Sequence, residues 1–288
     1  MCIKVNSIVL LVLTLFLHNG IFAQVETETE ADADHLEVQE SESNKPFYRL
    51  GSQRTWPFFS FLNDPGDDAK TLGIEFESYL NIGNYEVKNI SYFEVNQYPR
   101  VIPGQPNGNP DDSTDEIVPA DGINDLLMGF WFSRKGAHHG KHHLTGGFAA
   151  MFPTASDKSL GSGKFSLGPS IDYEFESGRW FAGAIALQVW SVAGPSDLKA
   201  VNMLMIKPFV VFNVVERFDL IYMPYGVSVY WNKPAGEKVY LPLGGGGQYQ
   251  IPLGKKTTLN LGPQFFKNVI RPTKGTVFDL RFLVEFVL

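Results

Sequence analysis

Apolar and polar residues alternate through the last eleven positions of the chain. Phe278, Leu280, Phe282, Val284, Phe286 and Leu288 fall on one face of an extended strand; Asp279, Arg281 and Glu285 fall on the other, with Leu283 and Val287 between them. Successive strand side chains point to opposite faces, so one side is wholly apolar and the other carries charge. A soluble sheet would pack that apolar face on a second layer, whereas an outer-membrane barrel turns it to lipid and lines its interior with the polar face. A strand ending flush with an apolar last residue favours the barrel. The barrel-assembly machinery is expected to grip that end, although Leu288 stands where an aromatic residue is usual.

The same reading extends backward. From Thr71 the chain divides into segments at 71–82, 85–98, 123–134, 143–153, 164–177, 180–193, 201–216, 219–231, 239–252, 257–268 and 275–288. In 164–177, Phe165, Leu167, Ile171, Tyr173 and Phe175 oppose Ser166, Ser170, Asp172 and Glu174; in 71–82, Leu72, Ile74, Phe76, Leu80 and Ile82 oppose Glu75, Glu77 and Asn81. Segments 180–193 and 201–216 are apolar on both faces, which suits strands against a packed, partly apolar interior. A transmembrane strand needs about 9–11 residues, so the lengths fit. Tight connections at 176–179, 215–219 and 253–257 alternate with longer ones at 153–163, 193–200, 232–238 and 267–274. Barrels of this class have short periplasmic turns and longer outer loops. With the C-terminus periplasmic, the 71–82 segment becomes the second strand, so an earlier strand is required. Residues 45–70 are expected to supply it, or else to form a plug. The prediction is an all-β, transmembrane, antiparallel up-and-down β-barrel of about twelve strands over 71–288. A secreted soluble β-sandwich is the alternative. Trp131, Trp180, Trp190, Tyr222, Tyr225, Tyr230 and Trp231 are expected to form its interfacial girdles.

The first residues add export. Lys4 precedes the apolar run Ile8–Leu17, which leads to Ala23; this is a signal peptide over 1–23, too short to span a bilayer as a helix. Cys2 leaves with it, so the mature chain has no thiol chemistry. Residues 24–44 carry eight acids and no Lys or Arg, and are read as an acidic disordered leader, with a cation- or partner-binding tail as the alternative. The whole chain holds 31 acids and 24 bases. Setting aside those eight acids and Lys4 leaves a body from Lys45 onward in which acids and bases balance. No basic patch exists, which argues against nucleic acid. A mean hydropathy of −0.08 matches residues that alternate rather than segregate.

Between Asp121 and Phe175 lie G-I-N-D-L-L (122–127) with the aromatic strand Phe130-Trp131-Phe132-Ser133, then P-T-A-S-D (153–157), L-G-S-G-K (160–164) and Leu167-Gly168-Pro169. Val189-Trp190-Ser191 and Lys207-Pro208-Phe209 follow. This order resembles the outer-membrane family of the meta-pathway of phenol degradation, whose members are labelled neuromedin-U-like or transporters. The likeness covers roughly 120–288 and, more weakly, 71–100. It implies a monomeric outer-membrane barrel with a role in uptake of small solutes, aromatic ones among them. No cofactor is expected.

Several residue groups are candidates for chemistry. Glu75, Glu77, Glu86, Lys88, Asp172, Glu174, Lys207, Gln248, Asp279, Arg281 and Glu285 are expected to face inward, as pore lining or as structural struts. The hairpin of Asp157, Lys158, Gly161, Gly163 and Lys164 is either an ordered outer loop or a constriction of the pore mouth. His138, His139, His142 and His143 fall in one turn; imidazole suits zinc, copper and nickel, but a solvated turn is the default. Asp111, Asp112, Asp115, Glu116 and Asp121 lack calcium-loop spacing and read as solvated charge, able to meet lipopolysaccharide through divalent ions. A barrel enzyme would need a histidine beside a serine nucleophile, and the barrel's histidines are those of the turn cluster, read as lying off the strands, so no enzymatic activity is expected. The expected function is passive passage of small solutes across the outer membrane, with a non-conducting structural barrel as the rival.

Overall fold

Short turns at one end and longer connections at the other join long antiparallel strands into a ring that closes on itself. The structure, a computed structural model, describes residues 48–61, 69–98, 120–135, 140–157, 160–273 and 275–288, and of 56–61 and 98 the backbone alone. The signal peptide, the acidic leader, most of the 99–122 loop with Asp111, Asp112, Asp115 and Glu116, and also His138, His139 and Lys158, lie outside the described residues.

Among the described residues there are fourteen strands and no helix: β1 (Tyr48–Phe61), β2 (Ala69–Ile82), β3 (Tyr85–Tyr98), β4 (Ala120–Ile123), β5 (Leu126–Arg134), β6 (His142–Phe152), β7 (Phe165–Ser177), β8 (Trp180–Ala193), β9 (Asn202–Val215), β10 (Phe218–Tyr222), β11 (Val227–Tyr230), β12 (Val239–Pro252), β13 (Thr258–Ile270) and β14 (Phe278–Val287). β4 and β5 both pair β3, and β10 and β11 both lie between β9 and β12. Each of those pairs is one stave, so the ring has twelve. β1 pairs β2 on one side and β14 on the other, with Ser52 opposite Val287 and Phe61 opposite Phe278. That seam closes the barrel and leaves no open edge, which is the condition for crossing lipid with strands. The 45–70 segment is therefore a wall strand over 48–61.

The alternation of the sequence becomes inside and outside. Leu280, Phe282, Phe265, Leu167, Ile171 and Leu144 stand out of the wall with 38–68% of their surface exposed, while Leu283, Phe266 and Asp172 on the other face are buried. Such an apolar belt is far larger than a soluble monomer presents and is the surface that meets lipid. Tight turns gather at one end, where Gly178 takes a φ of 59° between β7 and β8; the long connections gather at the other.

Two predicted segments are each broken in two. Residues 123–134 are interrupted at Asn124–Asp125, where side chains replace the ladder. The 219–231 segment is interrupted at 223–226, where Pro224 has no N–H to give. The girdle expectation also needs correction. Trp180, Trp190 and Trp231 are exposed, but Trp131 is buried in the lumen, its Nε1 donating to Ser170 Oγ at 3.1 Å. Tyr225 and Tyr230 also pack inside, against the core of β8 and β9. Strand parity puts Trp131 there, opposite the inward Lys88, whereas Tyr225 lies in the break between β10 and β11.

Candidate functional site: a divided lumen

The interior of the barrel has two chemically distinct halves. Toward the tight-turn end, Arg54 on β1 donates from Nε to Glu285 on β14 and from Nη1 to Glu75 on β2 at 2.9 Å, with Glu77 at 3.4 Å. Glu75 also takes Lys207 Nζ of β9 at 2.6 Å. Counted around the ring, β2 and β9 are the second and eighth staves, so this ion pair joins opposite walls. On the next level Lys88 of β3 reaches Asp172 at 2.9 Å and Glu174 at 2.6 Å on β7, three staves away. Arg49 meets Glu86 at 3.2 Å and lies 4.3 Å over the Tyr79 ring, whose hydroxyl donates to Glu77 at 2.6 Å. Charges this deep are tolerable only when paired and hydrogen-bonded, and each of these is.

Toward the long-loop end the lining turns apolar on β6, β8 and β9, while Glu94, Asn96, Gln264, Asp279 and Arg281 are buried there on β3, β13 and β14. Ala149, Leu187, Val189, Met203 and Met205 form one buried cluster with Leu127, Val201, Tyr225 and Tyr230 packed on it. Between the halves, Tyr92, Ile221 and Leu283 meet from three separate staves. The Tyr92 and Tyr225 rings, also from opposite staves, are 5.2 Å apart at 52°. Lys207 Nζ lies 5.3 Å from the Tyr92 ring, which links the two layers.

The eleven inward candidates take these places. Glu75, Glu77, Glu86, Lys88, Asp172, Glu174, Lys207 and Glu285 belong to the charged half. Gln248 donates to Asp219 at 2.9 Å, and Gln250 to the same carboxylate at 2.6 Å. Asp279 and Arg281 face each other at 3.6 Å, with the Arg281 guanidinium 4.7 Å over Phe266. Asn260 adds a 2.8 Å bond to Glu285.

The outer hairpin is held by a residue the candidate set omits. Asp125 accepts from Ser162 N at 2.7 Å, Ser162 Oγ at 2.8 Å and Ala155 N at 3.2 Å. Its neighbour Asn124 is fully buried, accepting from Glu94 N at 2.7 Å and donating to the Glu94 carboxylate at 3.0 Å. Thr154 and Ser156 return the contact, their hydroxyls accepting from Leu126 N and Ile123 N at 2.9 Å. The N-D, P-T-A-S-D and L-G-S-G-K pieces are thus one clasp. Asp157 and Gly161 to Lys164 lie in or beside it, and Asp157, Gly161 and Gly163 border, with Pro195, Asp197 and Leu198, a cavity of about 340 Å³ between two long loops. The expected four-histidine turn needs correction for two of its members: His142 and His143 are the first residues of β6, paired with Phe175 and Glu174, and point to opposite faces, so they do not converge on one ion. His142 Nδ1 lies 2.8 Å from the Tyr173 hydroxyl. No cluster of metal-binding side chains occurs among the described residues.

Arg54 is the chief lumen residue missed by sequence reasoning, because alternation within 45–70 is poor. Glu94 and Asp219 were equally available from strand parity, two positions from Tyr92 and from Ile221.

No protein-family model matches the chain, and no curated protein does. Among solved structures, the NanC porin is similar at a TM-score of 0.50 and 11% identity, over 83% of this chain and 99% of that one. The translocator domain of the autotransporter NalP from Neisseria meningitidis matches at 0.43 and 10%, over 83% and 87%. The P. putida toluene transporter TodX matches at 0.32 and 10%, over 82% and 87%. At such identities the likeness is one of fold: a transmembrane β-barrel shared with an outer-membrane porin.

Proposed function

We propose that the protein is an outer-membrane channel for passive passage of small, neutral, apolar or aromatic solutes. The observation that carries this is the apolar, methionine-bearing wall that β6, β8 and β9 give to the lumen's long-loop half. Unbranched thioethers adapt their packing to a guest, and leucine, valine and tyrosine side chains offer the apolar walls and few polar groups of a small-molecule site. Long loops outside and tight turns in the periplasm set the orientation, so a solute arriving from outside meets this half first. The resemblance of 121–175 to the phenol-degradation family points to the same class. The charged half below carries more carboxylate than cation, which disfavours anions. Export by the signal peptide, contact with outer-membrane lipid and lipopolysaccharide, insertion through the barrel-assembly machinery and a monomeric state complete the reading.

The test is uptake of a small neutral aromatic into proteoliposomes of the refolded protein, beside conductance in a planar bilayer. Uptake above empty liposomes, with low or cation-favouring conductance, is expected. A specific observation favours a second reading, a non-conducting structural barrel: the Glu75–Lys207 strut across the full width. Absence of uptake and of current in both the intact protein and Lys207→Met would establish that reading instead.

A further inference from the structure

Three amide side chains on β12 and β13 are buried with an oxygen that no protein group pairs. Gln248, Asn260 and Gln264 are 5%, 7% and 1% exposed; Gln248 Oε1, Asn260 Oδ1 and both polar atoms of Gln264 have no hydrogen-bond partner among the described residues. Buried polar groups are paired in the great majority of cases, and each exception calls for a reason. Parity puts all three on the lumen face, since their strand neighbours Tyr249 and Phe265 are half exposed on the lipid side. Register brings them together. Gln250 pairs with Asn260 and Gly246 with Gln264, so Gln248 stands across from Gly262, midway between the two β13 amides. Gly262 has no side chain and none would fit, because a Cβ there would fall 1.8 Å from Gly247 O. Beside it Pro263 has no N–H to give β12, and the paired residues run from Gly246–Gln264 directly to Tyr249–Leu261, in unbroken register.

Two carboxylates decide which end of each amide points where. Gln248 Nε2 donates to Asp219 on β10 at 2.9 Å, and Asn260 Nδ2 to Glu285 on β14 at 2.8 Å. An ionised carboxylate only accepts, so the nitrogens face the flanking staves. The planar amides then turn the Gln248 oxygen toward β13 and the Asn260 oxygen toward β12. Two acceptors thus face each other beside the bare Gly262, and the Gln264 amide closes the third side. The surrounding charge selects what suits them. Asp219 is fully buried and takes three neutral donors, from Gln248, Gln250 and Asn213. Among the described residues no lysine or arginine pairs with it, and a buried carboxylate without a cation is costly. Glu285 lies one amide away on the other side. A positive guest at the oxygens would sit between these two carboxylates, whereas a water brings no charge.

We propose that the side-chain carbonyl oxygens of Gln248, Asn260 and Gln264 bind an alkali-metal cation, sodium or potassium, in the lumen wall. Neutral carbonyl oxygens are the ligands that replace the water shell of a monovalent ion. Calcium and magnesium take carboxylates directly, and here each carboxylate stands one amide behind the ligating oxygens. The bound ion offsets the buried charge of Asp219 and ties β10, β12 and β13 together through the amides. The site stands apart from the solute-channel reading and holds whichever solute the lumen passes.

The test is thermal unfolding of the refolded full chain in detergent, followed by tryptophan fluorescence, in sodium, potassium and choline chloride at one ionic strength. The expected result is a midpoint that rises by a few degrees for each tenfold increase in one alkali ion exchanged against choline. The sodium NMR line should be broadened by the protein and sharpened again by competing potassium. Gln264→Leu breaks no hydrogen bond to a described residue. It should abolish most of the rise, and should lift the midpoint in choline because an unpaired buried amide is gone. Gln248→Leu should also abolish the rise. Gln250→Leu, which loosens Asp219 but removes none of the three oxygens, should keep it. A midpoint equal in choline and in both alkali chlorides overturns the site and leaves a bound water as the partner of the amides. An alkali response that survives in Gln264→Leu and Gln248→Leu places the ion elsewhere and overturns it too. If Gln248→Leu does not fold, as heat-modifiable migration on gels would show, Gln264→Leu decides.

Discussion

Along β9 the inward residues are Met203, Met205 and then Lys207, so one step of the pleat separates the apolar half of the lumen from the charged half. The two halves share strands, hydrogen-bonded walls and burial, and differ in how their contents specify position. The charged half is a set of directional pairs: Arg54 needs Glu75, Glu77 and Glu285 at defined places, so strand register is fixed by geometry. The apolar half is held by contact area and tolerates rearrangement at constant volume. The first is suited to holding the ring closed, the second to receiving a guest. A lumen can thus be filled twice over, by a lattice and by a yielding surface, within one barrel.

The sharpest way to break the contrast is Arg54→Ala. It leaves Glu285 without a cation and Glu75 with Lys207 alone, their side chains only 6% and 4% exposed, and should cost about 3–5 kcal/mol. Urea unfolding in lipid vesicles, followed by tryptophan fluorescence, measures this, and raising salt should change the loss little because the pairs are out of reach of screening. In the other half, Met205→Ala leaves a cavity and should cost about 2–5 kcal/mol. Met205→Leu, by contrast, should cost under about 1.5 kcal/mol. No such conservative rescue is expected for Arg54→Lys, since lysine lacks the planar fork that reaches three carboxylates.

A smaller effect is expected of Lys207→Met. Glu75 keeps Arg54, so the loss should be about 1–3 kcal/mol, while single-channel current rises because the cross-lumen strut is gone. An unchanged current would mean that the Tyr92–Tyr225 layer alone sets the constriction. The smallest change belongs to the rim. Asp125→Asn weakens the clasp by about 1 kcal/mol, read as faster protease nicking between Pro153 and Gly163 with no shift in the unfolding midpoint of the wall.

The wall was legible because period-two alternation survives in most strands; even the twelfth stave followed from the direction of the chain. Its breaks were not. Pro224 was visible, but apolar residues on both sides masked the interruption, and Asn124–Asp125 interrupts its strand through partners thirty or more residues away. The inward set could be read from parity, since a strand residue has only two directions. Which charges would meet was beyond reach, because Lys207 and Glu75 are 132 positions apart and lie on opposite staves. The resemblance motifs marked the right residues and left their task open: they are the clasp of an outer loop, in which the Asp125 carboxylate accepts from the Ala155 and Ser162 backbone amides.

Every pairing in the ring except one joins strands that are near neighbours along the chain. The exception is β1 with β14, where Arg54 and Glu285 are separated by 231 positions. Hairpins can form in microseconds from local contacts, whereas a join of this span carries the largest loop-closure entropy in the molecule. The barrel should therefore assemble as a growing sheet and shut in a single late event, with the Arg54–Glu285 contact as its latch. Slowing that event, without altering the finished wall, is a route to holding the protein in an open-sheet intermediate.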